Sequence, residues 1–545
     1  MRHRSFFLLL VVMLMLFGAC RQNNADFIIR NARIYTLNER FDTATVLVVK
    51  DGKVLAVGGD SLLDQYHALN ELNARGGFVY PGFIDAHCHY TGYANDRYKL
   101  VLYGCRSFDE VVGKVADYAR TSSRTWIEGR LWDQHQWQQA VFPEKDTLDR
   151  LFPDQPVFLL RIDGHAALCN QKALDLAGIT AATKVEGGEV LLRNGQPTGL
   201  LTDNAVELVR KLIPRRTREE AIADFLHAQQ DCTSLGLTSV VDCGLTHETW
   251  QYLQEAVRRG SFQLGITAML MDEEANVRGH LQNGPVQLGP LHLIGFKVFA
   301  DGSLGSRGAK LLQDYHDRPG YRGQWLRSPD SLKKLVAQVA NSRMQLAVHA
   351  IGDESNREML KLFGTVLPQG NDRRWRIEHA QVVHPEDIPL FAQHRIVPSV
   401  QPTHALSDMA WAEERLGPER MPHAYAYRSL LDQNGWMPLG TDFPVEDLNP
   451  LNTFAAAVFR TNRNGKPKGG FQFSQALSRE QALRGITIWA ARSVFEEKEK
   501  GSLEAGKRAD FVILPTDLMR ADADSIYRTK VKATFIAGKK VYPTR

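Results

Sequence analysis

The ten residues YPGFIDAHCH, Tyr80 to His89, decide how the rest of the chain is read. After Pro81-Gly82 the chain runs through Phe83-Ile84-Asp85-Ala86, a short and largely apolar stretch of the kind that forms a buried strand. Successive strand side chains point to opposite faces, so His87 and His89 share one face and Cys88 takes the other. Working outward, apolar segments of the same length recur, separated by helical stretches: Leu237 to Cys243, Leu264 to Leu270, Leu293 to Ala300, Met344 to Ala350, Arg374 to Ala380, Arg395 to Val400 and Trp436 to Asp442. With Phe83 to His89 these make eight strands alternating with helices. Eight is the number that closes a parallel (β/α)8 TIM barrel, at roughly 250 residues.

The spacing is regular except once. Between the first strand, ending near residue 89, and the second, beginning near 237, lie about 120 residues more than one barrel unit of roughly 30 residues needs. Trp126-Ile127, Val157 to Arg161 and the hairpin-like Glu189 to Gly199 read as strands within that stretch, which predicts an inserted subdomain at about 95–230. Active sites of such barrels lie on the loops after the strands, so the insertion is expected to cap the site. Short β-rich segments also stand at both ends: Asp26 to Leu37, Thr45 to Lys50 and Lys53 to Val57, then Ala509 to Leu514 and Lys532 to Tyr542. They predict a small composite β-sandwich from residues 26–80 and 495–545 around a barrel spanning 81–494.

Composition narrows the class. Hydrophobic residues are 43% and charged residues 23%, an ordinary globular balance that argues against disorder. With 66 Lys+Arg against 62 Asp+Glu there is no electrostatic case for a nucleic-acid partner. Residues 1–19 carry Arg2 and Arg4 ahead of the apolar run Phe6 to Phe17 and read as a secretory signal peptide, too short to span a bilayer. Gly18-Ala19-Cys20 resembles the lipobox of bacterial lipoproteins, although Phe17 stands where Leu is usual. The expectation is an exported protein of a bacterial cell envelope, anchored to the membrane through lipidated Cys20 and facing the periplasm. Five cysteines remain beyond it, an odd and scattered set that does not suggest a disulfide framework.

Chemistry-bearing residues fall at strand ends. Besides His87 and His89, Lys297 lies on the fourth strand, His349 on the fifth, His379 on the sixth and Asp442 on the eighth. Two neutral imidazoles on one strand face suit a divalent ion such as zinc. This arrangement resembles the metal-dependent amidohydrolase superfamily, whose barrel carries H-x-H on strand one, Lys on four, His on five and six, and Asp on eight. Further stretches resemble the amidohydrolase 3 group, which includes the N-substituted formamide deformylases. These are WIEGRLWD (126–133), RIDGHAALCN (161–170), GFKVFADGSLGSR (295–307), HAIGDESNR (349–357), RIEHA (376–380), PSVQPTHALSD (398–408), GTDFPVEDLNP (440–450) and the closing GSLEAGKRADFVIL (501–514).

The resemblance implies one or two metal ions per chain, with His87, His89 and Asp442 holding one and His349 and His379 a second. It implies that Lys297 bridges them as a CO2-derived carbamate, the alternatives being a plain lysine neutralising Asp301 or a single-metal site. It further implies hydrolysis of a non-peptide C–N bond in a small amide-type or N-formyl substrate: metal-bound hydroxide attacks the carbonyl, and Asp442 serves as general base and then acid. His165 and His404, with Trp132, Arg161 and Asp301 behind them, are candidate substrate residues. A deaminase or cyclic-amide hydrolase on the same scaffold, or an inactive solute-binding lipoprotein, are the rival readings, and a homodimer is compatible with either. A serine hydrolase is disfavoured, because Asp301 replaces the first glycine that G-x-S-x-G requires around Ser303.

Overall fold

A computed structural model describes residues 23–122, 124–214 and 216–544. The expected signal peptide, residues 1–19, and Cys20 lie outside these residues. Seven parallel strands form the central sheet in sequence order: Phe83–Cys88, Leu237–Leu245, Gly265–Met271, Leu291–Phe299, Gln345–Ala350, Arg376–His379 and Val397–Ser399. The eighth position is filled by residues 437–443, which make too few regular bonds to count as a strand yet bridge both edges. Gly440 N donates to Val400 O at 3.1 Å, Ala86 N to Leu439 O at 3.2 Å and Asp442 N to His87 O at 2.8 Å. The sheet is thereby closed, and the expected TIM barrel is the fold. Gly440 is required at this seam because a Cβ there would lie 2.5 Å from His87 N.

The long gap after the first strand folds as its own six-stranded sheet, in the order 188–193, 196–203, 166–169, 157–161, 127–132 and 100–101. Alternation along its strands sends neighbouring residues to different cores. Leu159, Leu168 and Leu200 pack with Ile127 and Val115 on one side, while Phe158, Ala167 and Leu201 pack with Leu174 and Val206 on the other. At the ends of the chain a four-stranded sheet faces a six-stranded one. In the latter, Phe511–Leu514 pairs antiparallel with Phe78–Pro81, so both ends of the described chain share one sheet. The segment Asp26 to Leu37, read from sequence as one β-rich piece, divides into Asn23–Arg30 and Arg33–Tyr35, and these strands belong to different sheets. All five described cysteines are free and buried. Among the described residues no helix is long and apolar enough to cross a membrane.

The barrel end away from the loops that follow the strands is closed by a buried ion pair. Lys500 Nζ lies 2.6 Å from Glu496 Oε2 and donates to Ser239 Oγ at 2.8 Å, while Thr267 Oγ1 and His292 Nδ1 stand 3.4 and 3.5 Å from the Glu496 carboxylate. Ser239, Thr267 and His292 begin three successive barrel strands. Burial by itself raises the Glu496 carboxyl, but Lys500 and His292 more than reverse this and bring it down to about 2. A carboxyl depressed on folding stabilises above its unfolded value near 4.5 and loses that contribution as pH falls towards 2. Glu496→Gln is therefore expected to cost roughly 3 kcal/mol at pH 7. The difference in melting temperature from wild type should shrink steadily below about pH 4.5; a difference independent of pH would remove the ion pair as its source.

Candidate metal centre and active site

His87 ends the first strand with its imidazole fully buried. Its Nδ1 lies 2.5 Å from Glu378 Oε2, and Glu378 Oε1 accepts from Arg376 Nε at 2.5 Å. Arg376 in turn donates to Ala86 O at 2.6 Å, tying the sixth strand back to the first. Glu378 remains anionic despite burial, because Arg376 and His87 drive its carboxyl far below the usual range. A carboxylate on one ring nitrogen fixes the tautomer and leaves Nε2 free for a ligand.

Strict alternation puts Arg376 and Glu378 on one face of their strand and Ile377 and His379 on the other. Ile377 enters the apolar core, whereas His379 reaches the cleft. The difference comes from the backbone: His379 and Ala380 have φ of 73° and 42°, which ends the strand and turns the imidazole to the mouth. Asp442 is likewise left-handed, at φ 64°. Three non-glycine residues in this sparsely populated region, all at the mouth, are backbone strain held at a functional site.

Asp442 is the point on which the cluster converges. Its Oδ1 lies 3.3 Å from His87 Nε2 and 3.2 Å from His89 Nε2, and its Oδ2 lies 3.4 Å from His404 Nε2. Burial would raise this carboxyl; the His404, His87 and His89 imidazoles hold it well below the carboxylate range. The ring of His379 stands 4.9 Å from that of His87 and 4.6 Å from that of His349. Burial, then His165 and Lys297, keep His349 well below the ordinary histidine value, and burial with His349 does the same for His379. Both rings are neutral and carry a lone pair.

These residues fit a divalent cation. His87 Nε2, His404 Nε2, Asp442 Oδ1 and Lys297 Nζ are buried without any hydrogen-bond partner, an arrangement that is costly unless something else satisfies it. His87, His89 and Asp442 form one group whose ligand atoms lie within 4.8 Å of one another, and His379, His404 and Asp442 form another. Nitrogen and carboxylate oxygen donors of this kind suit zinc. His404, read from sequence as a substrate residue, thus stands with the ligand set. His349 belongs to neither trio; its Nε2 is 3.4 Å from Gly302 O and 3.7 Å from Asp301 Oδ1. Lys297 Nζ lies 4.7 Å over the ring of Phe299.

A cleft opens on the cluster, walled by His89, His165, His349, His379, His404 and Asp442 with Phe299, Leu304, Trp411 and Val445. Two residues expected as substrate contacts do not line it. Trp132 donates its indole N–H to Leu159 O at 2.7 Å and packs on Trp137 inside the insertion. Asp301 is fully buried; it accepts the amides of Ile351, Gly352 and Lys310 and the Ser355 hydroxyl, so its oxygens are spent on shaping the loops beside His349. Arg161 does line the cleft, but its guanidinium is neutralised by Asp133 at 2.9 Å and Asp163 at 2.6 Å. Glu378 was missed by sequence reading, and its one signal was an acid two residues beyond Arg376 in the strand that carries His379. The Asp203 partner of His165, at 2.9 Å, left no such signal across 38 residues.

Replacing Glu378 by Gln is expected to weaken zinc binding roughly ten- to hundredfold in chelator competition, because His87 loses its anionic support. An unchanged affinity would strip Glu378 of that role.

Comparison with known proteins agrees with this geometry. The amidohydrolase family model matches residues 70–542. The protein LONG AFTER FAR-RED 3 of Arabidopsis thaliana is 34% identical over 547 aligned residues, covering 95% of this chain and 92% of that protein. An N-substituted formamide deformylase of Arthrobacter pascens is 25% identical over 547 aligned residues, covering 94% of this chain and 97% of that protein. The crystal structure of an uncharacterized metal-dependent hydrolase from Pyrococcus horikoshii superposes with a TM-score of 0.74 at 28% identity, over 91% of this chain and 99% of that one. Family match, barrel and ligand cluster point the same way, and the chain belongs to the amidohydrolase family, as a metal-dependent amidohydrolase.

Proposed function

We propose that this enzyme hydrolyses a non-peptide C–N bond of the amide or N-formyl/N-acyl amine class. The observation that carries the reading is Asp442: a buried, deprotonated carboxylate on the cleft wall, with Oδ1 unpartnered beside His87 and His89. The formamide deformylase among the relatives supports the substrate class. His87, His89 and Asp442 would hold one divalent cation, taken to be zinc, and His379 with His404 a second where one is bound. When bound, such an ion lowers the pKa of water towards about 7 and polarises a carbonyl.

The chain's own groups do the rest. Asp442 is placed to take the proton of the attacking water, and in the simplest cycle it returns that proton to the departing nitrogen, which cannot leave as an amide anion. Phe299, Leu304, Trp411 and Val445 give the cleft an apolar wall that excludes water around an organic acyl or amine group. Lys297 supports the further reading of a CO2-derived carboxyl group. Its buried Nζ has no hydrogen-bond partner, and the oxygens of Asp301, the one carboxylate suggested for it, are taken by backbone amides and Ser355. Export and lipid anchoring through Cys20 belong to the same proposal and are tested by labelling cells with a radioactive or clickable acyl chain.

Asp442→Asn is expected to lower kcat on a formamide and amide panel about a thousandfold while the protein stays folded. Full activity in a folded Asp442→Asn enzyme would end this assignment. Zinc-loaded protein equilibrated with 13C-labelled bicarbonate should show a protein-bound carbamate resonance that is absent from Lys297→Ala. Its absence from the fully loaded wild type would leave Lys297 a plain amine.

A further inference from the structure

The insertion contributes one imidazole to the cleft that the cluster around Asp442 does not use. His165 Nδ1 lies 2.9 Å from Asp203 Oδ1, and the pair is closed by a backbone bond from Asp203 N to His165 O at 2.7 Å. With Nδ1 donating to the carboxylate, Nε2 is the nitrogen left for the cleft, which His165 lines. Its ring stands 5.2 Å from that of His349 and 6.4 Å from that of Phe299.

The seat of Asp203 is built with care. The side chain is 1% exposed, and among the described residues it pairs with no Lys or Arg. Its other oxygen accepts from Gln324 Nε2 at 2.9 Å. Two glycines of the loop after the fourth strand make room for the carboxylate: a Cβ on Gly302 would meet Oδ1 at 2.5 Å, and one on Gly308 would meet Oδ2 at 2.7 Å. Asp203 itself has φ 49°, a left-handed conformation unusual for a residue with a side chain. A buried carboxylate whose sole ionisable partner is an imidazole costs free energy unless that imidazole answers it.

The position of the pair is complementary to that of Asp442. Asp442 meets the cluster through His87, His89 and His404, whereas His165 meets it through His349. A carbonyl bound over the His379–His349 pair therefore has the carboxylate on one flank and the His165–Asp203 pair on the other. In a tetrahedral adduct the incoming oxygen and the departing nitrogen occupy different corners. A base and an acid on two flanks reach them without one group travelling between.

We propose that His165 is the acid that protonates the departing nitrogen and that Asp203 is its positioning residue; this rests on the C–N hydrolysis proposed above and divides the task that the simplest cycle gives to Asp442 alone. Water gives one proton to Asp442 and its oxygen bonds to the carbonyl carbon. The C–N bond then breaks with its electron pair on nitrogen, and that nitrogen takes the proton from His165 Nε2. The products are a carboxylic acid and an amine. Asp442 now holds the proton that His165 lacks, and its return through solvent restores both groups.

The test compares two formamides under the zinc-loaded enzyme: N-benzylformamide, whose amine must be protonated to leave, and N-(4-nitrophenyl)formamide, whose amine leaves far more readily. His165→Gln and Asp203→Asn are expected to lower kcat about a hundredfold on the first. On the second the loss should be roughly fivefold or less, with KM on both held within about threefold. Equal losses on the two substrates, or none on either, overturn the proposal, since a merely structural role does not sense the leaving group. If Asp203→Asn fails to fold, His165→Gln carries the same comparison from the cleft wall. Wild-type enzyme inert towards both formamides, with other amides hydrolysed, would confine the earlier reading to another acyl class, and the same pairing of alkyl amide with nitroanilide then decides the acid. Inertness towards every amide overturns the proposed function and this inference with it.

Discussion

The structure depends on the seam where the last barrel position meets the first. Residues 437–443 lack the regular pairing of a strand, and three side-chain bonds make good the deficit. Asp85 Oδ2 accepts from the Thr441 hydroxyl at 2.6 Å, and Oδ1 from the amides of Thr441 at 3.0 Å and His87 at 3.1 Å. Burial raises the Asp85 carboxyl to about 6 even against these donors, so the seam is a buried polar clasp. Its consequence is positional. With Asp442 N on His87 O, the carboxylate of the eighth segment is delivered beside the two imidazoles of the first strand. Barrel closure and assembly of the ligand cluster are one event.

Around that seam the cluster is held by charges that belong to no ligand. Arg376 and Glu378 sit inside the barrel below the mouth, each fully buried, and together they orient His87. Gln401 performs the neutral version of this task for His379, with its Oε1 2.7 Å from Nδ1. These partners occupy the inner ring nitrogens, and His87 Nε2, His404 Nε2 and Asp442 Oδ1 are buried without a hydrogen-bond partner at the ion position.

The insertion is more than a cover. Arg161, Asp133 and Asp163 knit its strand ends together and reach Ser303 of the barrel through a 2.7 Å bond, while Arg415 of the barrel reaches His135 of the insertion at 3.0 Å. Through these links and the Asp203 seat the loop after the fourth strand is packed from both sides. Gly302 of GFKVFADGSLGSR and Gly308 just beyond it follow from that crowding, since they are the points where the Asp203 carboxylate must come close. The cleft is thus an interface between two folded units, where polar groups from each can be set against one another.

Period and punctuation in the chain determined a great deal. Seven barrel strands, the interruption after the first and the H-x-H at its end follow from runs of apolar residues and from alternation, which are local properties. Trp436 to Asp442 is legible as the eighth strand segment, although the chain there never forms a regular strand. Local pattern was silent on what closes over long separations. Nothing near His87 announces Glu378, 291 residues away, and nothing near His165 announces Asp203. Trp132 and Asp301 stand in motifs that suggested substrate contact, yet the fold turns one into a core and spends the other on loop amides. Side-chain direction at a strand end depends on where the backbone leaves its extended form, as the left-handed His379 and Asp442 do. Only the packed tertiary structure sets that, because the strain is tolerated where surrounding contacts outweigh it.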